Sequence, residues 1–300
     1  MKENRHQHTL EVMCAALQVT RSGYHAWNHR CESERDRHHA ILNKHIEQIF
    51  KKSKGRYGHR FIYEHLRDEG LDCGRDLTLK LMKRLGIAGD QSPRYRPFST
   101  NSCHDFGYSD NLVSKHATLK HMDEVWVVDT TYILTEEGWV YLATVMDLYS
   151  RRILGWSVSA KNDTELVMVA LQSAILFRGV IRSGIIHHSD RGSTYASSRY
   201  QQLLKAYGFE SSMSGKGNCY DNAAMESFFG RMKTSQIQDS VYVDLNHARS
   251  IVFEYIEVFY NRYRKHSSLG YKNPSQFEDE KLSDNLLEDC ITHHNTNTHN

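Results

Sequence analysis

Val125-Trp126-Val127-Val128-Asp129-Thr130-Thr131-Tyr132 is the stretch that decides the fold. Side chains along a strand alternate between two faces. Residues 125, 127, 129, 131 and 133 then share one face and read Val, Val, Asp, Thr, Ile. One acid therefore stands among apolar neighbours in a run that otherwise reads as a buried strand. Burying a carboxylate is costly unless something cationic meets it.

Two more acids occupy unusual settings. Asp190 ends the short apolar strand Ile185-Ile186-His187-His188-Ser189-Asp190, and ligand sites in open α/β sheets gather at strand ends. Glu226 follows Asp221-Asn222-Ala223-Ala224-Met225 at the head of a helix that Asp221 or Asn222 can cap. Asn222, Glu226 and Lys233 are spaced i, i+4 and i+11 and lie near one helical face. That helix can aim a carboxylate at the sheet and a cation slightly beyond it. Three converging carboxylates point to a divalent-metal site. Hard cations such as Mg²⁺ prefer oxygen ligands and keep several waters. Two ions about 4 Å apart can activate an attacking oxygen and stabilise a leaving one. Spacing alone leaves a second reading open. The chain has 36 acids, and an acid inside a strand is more often a satisfied structural group than a ligand.

Around this stretch, residues 124–134 and 140–148 read as strands joined by Thr135-Glu136-Glu137-Gly138, with a third strand over 152–159. An apolar helix over 163–178, a short strand over 184–189, a helix over 197–207, a strand over 209–213 and a helix over 222–236 follow. A three-strand meander and then alternating helices and strands imply a mixed sheet with helices on its faces. A last helix, about 244–265, carries Ile251, Tyr255, Val258 and Phe259 on one stripe.

Before residue 90 the periodicity is helical. Leu10, Met13, Cys14 and Leu17 share a face, and Thr20 or Ser22 can cap a second short helix carrying Tyr24 and Trp27. Three helices follow: 39–52 with Leu42, Ile46 and Ile49 inward, 59–68 with Ile62, Tyr63 and Leu66, and 75–85 with Leu79, Met82 and Leu85. Gly86 signals the end of the third. Arg75, Lys80, Lys83 and Arg84 lie on or near its outer face. This is a helix-turn-helix with a basic second helix, or a three-helix packing unit with solvated charges.

The 39% apolar and 25% charged residues are ordinary for a chain with a sizeable core. Net charge is +2, but residues 1–120 carry 21 Lys and Arg against 14 Asp and Glu. A basic N-terminal part ahead of a carboxylate-bearing core fits a polyanion-binding module. Six scattered cysteines suggest neither a zinc ribbon nor a disulfide framework. No signal peptide is expected, and the most apolar stretch, Leu166 to Leu171, is far too short to span a bilayer. A reducing, cytoplasmic protein is expected.

Four core segments carry a resemblance. They are Val-Trp-Val-Val-Asp-Thr-Thr-Tyr at 125–132, His-Ser-Asp-Arg-Gly-Ser at 188–193, and Ser-Gly-Lys-Gly-Asn-Cys-Tyr-Asp-Asn-Ala-Ala-Met-Glu-Ser-Phe-Phe at 214–229. The fourth is Tyr-Asn-Arg-Tyr-Arg-Lys-His-Ser-Ser-Leu-Gly-Tyr at 260–271, followed by Pro274. Upstream stand Ser22-Gly23-Tyr24-His25-Ala26-Trp27, Arg56-Tyr57-Gly58-His59-Arg60 and Leu81-Met82-Lys83-Arg84-Leu85-Gly86. In this order, from about residue 8 to 280, they resemble the transposases of bacterial insertion sequences, in particular the second-frame product of the IS-three family. Thr194, Ala224 and Gly215 depart from that family's usual Gln, Pro and basic residue. The separate first-frame helix-turn-helix and leucine-zipper region that family members often gain by frameshifted fusion is not expected within this sequence.

The resemblance implies a retroviral-integrase-type core. The fold class is then α/β, a ribonuclease-H-like mixed five-stranded sheet flanked by helices and preceded by an all-α helix-turn-helix region. The expected domains are a helical hairpin over 1–37, a helix-turn-helix DNA-binding domain over 38–89, a linker over 90–120, the catalytic core with its C-terminal helix over 121–282 and a disordered tail over 283–300. Asp129 would bridge two Mg²⁺ (or Mn²⁺) ions, with Asp190 and Glu226 each completing one. Lys233 stands where the family has a basic residue thought to contact DNA, or is a solvated helix lysine. His188, Asn222 and Tyr220 would support the metal ligands from behind, or simply pack. Gly215 and Gly217 beside Lys216 mark a mobile loop over the site or a flexible connection. Arg262, Arg264, Lys265 and His266 would touch phosphates, or form a solvated helix end.

The function implied is metal-dependent cleavage and strand transfer of DNA. The partners are transposon ends and target DNA, a second copy of the chain on DNA, and a first-frame product by fusion or regulation. No membrane partner is expected, and the setting is a bacterial cytoplasm, associated with the nucleoid. The rivals are a DNA-binding regulator with an inactive core and a ribonuclease-H-type nuclease acting on RNA–DNA hybrids.

Overall fold

The run that holds Asp129 forms strand β1, Val125–Thr135, at the centre of a five-stranded sheet. The computed structural model describes residues 1–90, 109–113, 119–179, 181–214, 223–237 and 242–284. They belong to two compact units, Met1–Gly89 and Asp90–Asn300.

In the first unit, helices α1 (Leu10–Ala16), α2 (Arg21–Asn28) and α3 (Glu34–Lys52) start on Thr9, Thr20 and Ser33. Each cap accepts a backbone N–H of the first turn, a group that would otherwise lack a partner. Helices α4 (His59–Asp68) and α5 (Arg75–Arg84) pack with α3, burying Leu42, Ile46, Ile49, Ile62, Leu66, Leu81 and Met82. Gly86 has φ +69° and closes α5: its N–H reaches Lys83 O, and Ile87 N–H reaches Met82 O.

Two inward faces differ from the pattern expected. On α5, Thr78, Leu81 and Met82 are buried rather than Leu79, because the Thr78 hydroxyl is satisfied by Gly74 O at 3.0 Å. On α4, Glu64 is 1% exposed while Tyr63 is only half-buried. Arg67 at 2.7 Å and Arg75 at 3.4 Å compensate that acid.

In the second unit, β2 (Gly138–Asp147) and β3 (Ile153–Ser159) extend β1 as an antiparallel meander. On its other side β4 (Ile186–Ser189) and β5 (Glu210–Met213) run parallel to it, giving the order β3-β2-β1-β4-β5. Residues 109–113 lie against β5, where Leu112 N–H donates to Ser212 Oγ. One face of the sheet is covered by α6 (Thr164–Arg178), the single turn α7 (Ser193–Ala196) and α8 (Ser198–Ala206). Trp126, Val128, Leu171, Tyr200 and Phe209 meet in that core. The other face receives α9 (Ala223–Ile237) and α10 (Leu245–Phe253). The burial of β1 follows from this. Its first four residues are covered on both faces, whereas Tyr132 and Leu134 emerge on one.

Helix α6 approaches β3 very closely at Gly155. A Cβ there would fall 2.3 Å from Ala170 O and 2.4 Å from Ala174 N, both backbone atoms of the helix. Backbone cannot swing away as a side chain can, so Gly155→Ala must push α6 off the sheet. Overpacking of this kind predicts a loss of about 2–3 kcal/mol in urea unfolding. A loss under about 0.5 kcal/mol would contradict the close packing.

The expected helix over 244–265 is not one α-helix. After Phe253 the chain continues as a π-helix, Glu254–Tyr260, with Asn261 N–H bonded to Ile256 O and Arg264 N–H to Phe259 O. The wider turn rotates the buried stripe. Ala248, Val252 and Tyr255 hand over to Ile256, Phe259 and Tyr260, and Val258 is 54% exposed rather than inward. It also delivers Asn261 to the edge of β3, where its amide exchanges two hydrogen bonds with Ile153, at 3.0 and 2.9 Å. That pairing occupies edge groups that a further strand would use. A final helix over 274–284 follows. No helix among the described residues is long and apolar enough to cross a membrane.

Candidate active site

The sheet register brings the acids together. Val127 pairs with His188 across the parallel β1–β4 ladder. Asp129 stands two residues further along β1, and Asp190 follows directly on the end of β4, so both acids lie just past this ladder. On the antiparallel side Asp129 pairs with Thr144, whose buried Oγ1 has no hydrogen-bond partner among the described residues. Helix α9 crosses this face. Glu226 and Lys233 are seven residues apart on it, two turns, and so share a side. The Lys233 ammonium lies 4.3 Å from the centre of the Tyr132 ring.

The electrostatics report the same convergence. Burial, the Asp190 carboxylate and the Glu226 carboxylate push Asp129 up to about 7, against the pull of the Thr130 N–H and Lys233. Lys233 is half-buried, and burial holds it below the usual ammonium range despite the attraction of Asp129. Local hydrogen bonds fix the two aspartates. Asp129 Oδ1 accepts from Thr130 N at 2.7 Å, and Asp190 Oδ1 from Gly192 N at 2.9 Å. Thr130 Oγ1 meets Tyr195 Oη at 2.9 Å on the opposite face, tying β1 to α7. Glu226 is exposed.

Among the described residues no three His, Cys, Asp or Glu side chains close on a point that would hold a metal ion. The donor set is all oxygen, and a hard divalent cation is the species such a set suits.

The other expected site residues are placed less uniformly. His188 is buried, with Nδ1 2.9 Å from Ser212 Oγ on β5, so it ties two strands together. Asn222, Tyr220, the loop residues Gly215, Lys216 and Gly217, and the tail over 285–300 lie outside the described residues. In the first unit Lys80, Lys83 and Arg84 are exposed on α5. Arg75 is engaged with Glu64 and sits 5.3 Å from the Tyr63 ring centre. Arg262 is exposed, but Arg264 and Lys265 are only 8% and 5% exposed, so neither belongs to a solvated helix end. Sequence reasoning missed Thr144 and Tyr132. Their signal was register: Thr144 is the polar residue in the apolar run of β2, and Tyr132 lies three residues past Asp129.

Residues 120–219 and 207–274 match two family models described as integrase core domain, and residues 36–95 match one described as HTH-like domain. Transposase InsF for insertion sequence IS3A of Escherichia coli (strain K12) is 35% identical over 285 residues, covering 94% of this chain and 98% of that protein. The insertion element IS600 uncharacterized 31 kDa protein of Shigella sonnei is 37% identical over 267 residues, or 89% of this chain and 97% of that one. Among solved structures, the HTLV-2 integrase catalytic core domain in complex with magnesium (trimeric form) gives a TM-score of 0.41 at 17% identity, over 52% of this chain and 95% of that one. Near-complete coverage at this identity, with an HTH-like domain ahead of an integrase core domain, places the chain in the transposase family of the IS3 insertion sequences.

Proposed function

We propose that this transposase cuts DNA at the ends of its element and joins them to a target, with Asp129, Asp190 and Glu226 as the carboxylates that hold divalent metal. The observation that supports this reading is that the Asp190 and Glu226 carboxylates both act on the Asp129 carboxylate, just beyond the β1–β4 ladder that ends at Val127 and His188. Bound at these residues, two Mg²⁺ or Mn²⁺ ions would neutralise charge on a phosphodiester and favour attack on its phosphorus. Asp129 would serve both ions, and Asp190 and Glu226 one each.

The protein groups do the positioning. β1 carries Asp129, the turn after β4 fixes Asp190 through the Gly192 N–H, and α9 brings Glu226 to act on Asp129. Lys233, kept in place against Tyr132, adds a cation where the negatively charged phosphodiester must lie. In the first reaction water attacks phosphorus and the bond to the element's 3′-oxygen breaks, freeing a 3′-hydroxyl. In the second that hydroxyl attacks a target phosphorus and a target 3′-oxygen leaves. No protein nucleophile is required. Charge placement of this kind supplies most of the rate enhancement in such transfers.

The HTH-like unit would bind the transposon ends through the exposed Lys80, Lys83 and Arg84. Two copies on paired ends, with or without a first-frame product, would form the working assembly. Glu226→Gln keeps the helix and removes one ligand charge. It should abolish strand transfer on end-bearing oligonucleotides in Mg²⁺ while the circular dichroism spectrum stays unchanged. Normal turnover by that variant would refute the assignment. Tight DNA binding by wild type with no cleavage under any metal condition would favour a regulator instead.

A further inference from the structure

Outside the carboxylate site, the second unit holds a cavity of about 280 Å³ whose walls are strongly cationic. It is lined by Arg151, Arg231, Arg264 and His266, with Ala223 and Ser227 of α9 at its edge. Among the described residues no Asp or Glu contributes to the lining. We propose that Arg151, Arg231 and Arg264, with His266, form a pocket for a phosphodiester oxyanion of DNA.

Three features support a built site rather than a chance grouping. First, three guanidiniums come from three elements: the turn after β2, helix α9 and the segment after the π-helix. Arg151, Arg231 and Arg264 all act on the His266 imidazole, and Arg264 acts on Arg231, so three like charges share one small space. Arg264 is 8% exposed, and no flexible surface lysine is involved. Second, His266 presents a buried Nε2 with no hydrogen-bond partner among the described residues. Burial and the three guanidiniums push this imidazole down to about 3, so it stays neutral and can offer a single N–H. Its ring is fixed edge-on to Tyr260, with centroids 4.9 Å apart. Third, Arg151 has φ +61°, an unusual backbone state for a long side chain, in the turn where Arg151 N–H bonds Asp147 O. Burial and the adjacent Arg264 both hold Arg231 below the ordinary guanidinium range.

The chemistry that fits is a tetrahedral oxyanion. Guanidiniums offer paired donors that match phosphate oxygens, and a neutral imidazole N–H adds one more. The position favours DNA over free phosphate. Residues 223, 227 and 231 form the flank of α9 next to the face bearing Glu226, and Arg231 is about 8 Å further along the axis. A strand crossing α9 with one phosphate at the carboxylates can set another in this pocket. The pocket would fix the strand's register and read no base.

This inference rests on the proposed DNA chemistry, but its test is separate from catalysis. Binding of full-length protein to a duplex carrying the terminal repeat would be measured in EDTA across a salt series, for wild type, Arg231→Gln and Lys205→Gln. Arg231 and Lys205 are both exposed, so neither substitution threatens folding. Loss of one phosphate contact predicts a salt slope smaller by about 0.9 and binding weaker by about fivefold for Arg231→Gln. Lys205→Gln, on the far side of the sheet, should match wild type. Equal slopes for all three proteins would overturn the pocket while leaving the proposed function intact. No duplex binding by wild type would overturn both. A parallel melt in millimolar inorganic phosphate covers the other source. Stabilisation of wild type but not Arg231→Gln, together with equal DNA slopes, would assign the pocket to free phosphate and overturn the DNA reading.

Discussion

Asp129→Asn is expected to lower strand transfer by roughly a thousandfold or more and, in the absence of metal, to melt slightly higher than wild type. Both effects have one origin. Asp129 stands in a partly buried position with two further carboxylates acting on it, and these raise its proton affinity to about 7. Asparagine keeps the size and the acceptor for Thr130 N–H, but removes the charge that the neighbours repel. The gain should be about 2 °C for a unit of this size. Mg²⁺ at a hundred times its dissociation constant should stabilise wild type by about 2.7 kcal/mol and leave Asp129→Asn unmoved. Differential scanning fluorimetry across a Mg²⁺ series reads both. A variant that keeps the full Mg²⁺-dependent shift would remove Asp129 from the metal site.

Glu278→Ala should have the largest effect on stability. Glu278, in the helix over 274–284, is a buried acid whose two oxygens receive four hydrogen bonds. Ser150 Oγ donates at 2.6 Å, Arg152 at 2.8 Å, and Arg178 at 2.6 and 3.0 Å. Arg178 also pairs with Asp123 at 2.9 Å. The cluster therefore ties the last helix to the turn after β2, to the end of α6 and to the entrance of β1. The arginines hold the Glu278 carboxyl below its usual range, against the opposing effect of burial. Removing one partner strands the others in a low-dielectric setting, at a cost of about 3–5 kcal/mol. Urea unfolding followed by tryptophan fluorescence should show that loss in the second unit, which contains Trp126, Trp139 and Trp156. A change below about 1 kcal/mol would mean that the ion cluster is not what holds the final helix in place.

Much of the sheet is legible in the sequence because its signals are local. The two-residue period around Asp129 locates β1 and the face of its carboxylate, and the apolar runs around it mark β2, β3 and α6. The acids are legible as oddities, Asp129 inside a strand and Asp190 at a strand end. What escapes reading depends on pairs distant in the chain. Glu64 and Glu278 look like solvated helix acids, and only the fold shows the arginines that let them be buried. The π-helix leaves no compositional mark, since it shifts hydrogen bonds by one residue without needing unusual side chains. Thr144 becomes notable only when the ladder sets it opposite Asp129. Arg151, Arg231 and Arg264 are separated by up to 113 positions, and nothing local links them.

The claim that Asp129, Asp190 and Glu226 hold the metal is tested most directly by anomalous scattering from Mn²⁺ in crystals of the protein soaked with that ion. The expected result is a strong peak within about 2.3 Å of Asp129 and Asp190 oxygens, absent from Asp129→Asn crystals. Peaks confined to other residues, with the three carboxylates bare at saturating Mn²⁺, would contradict it.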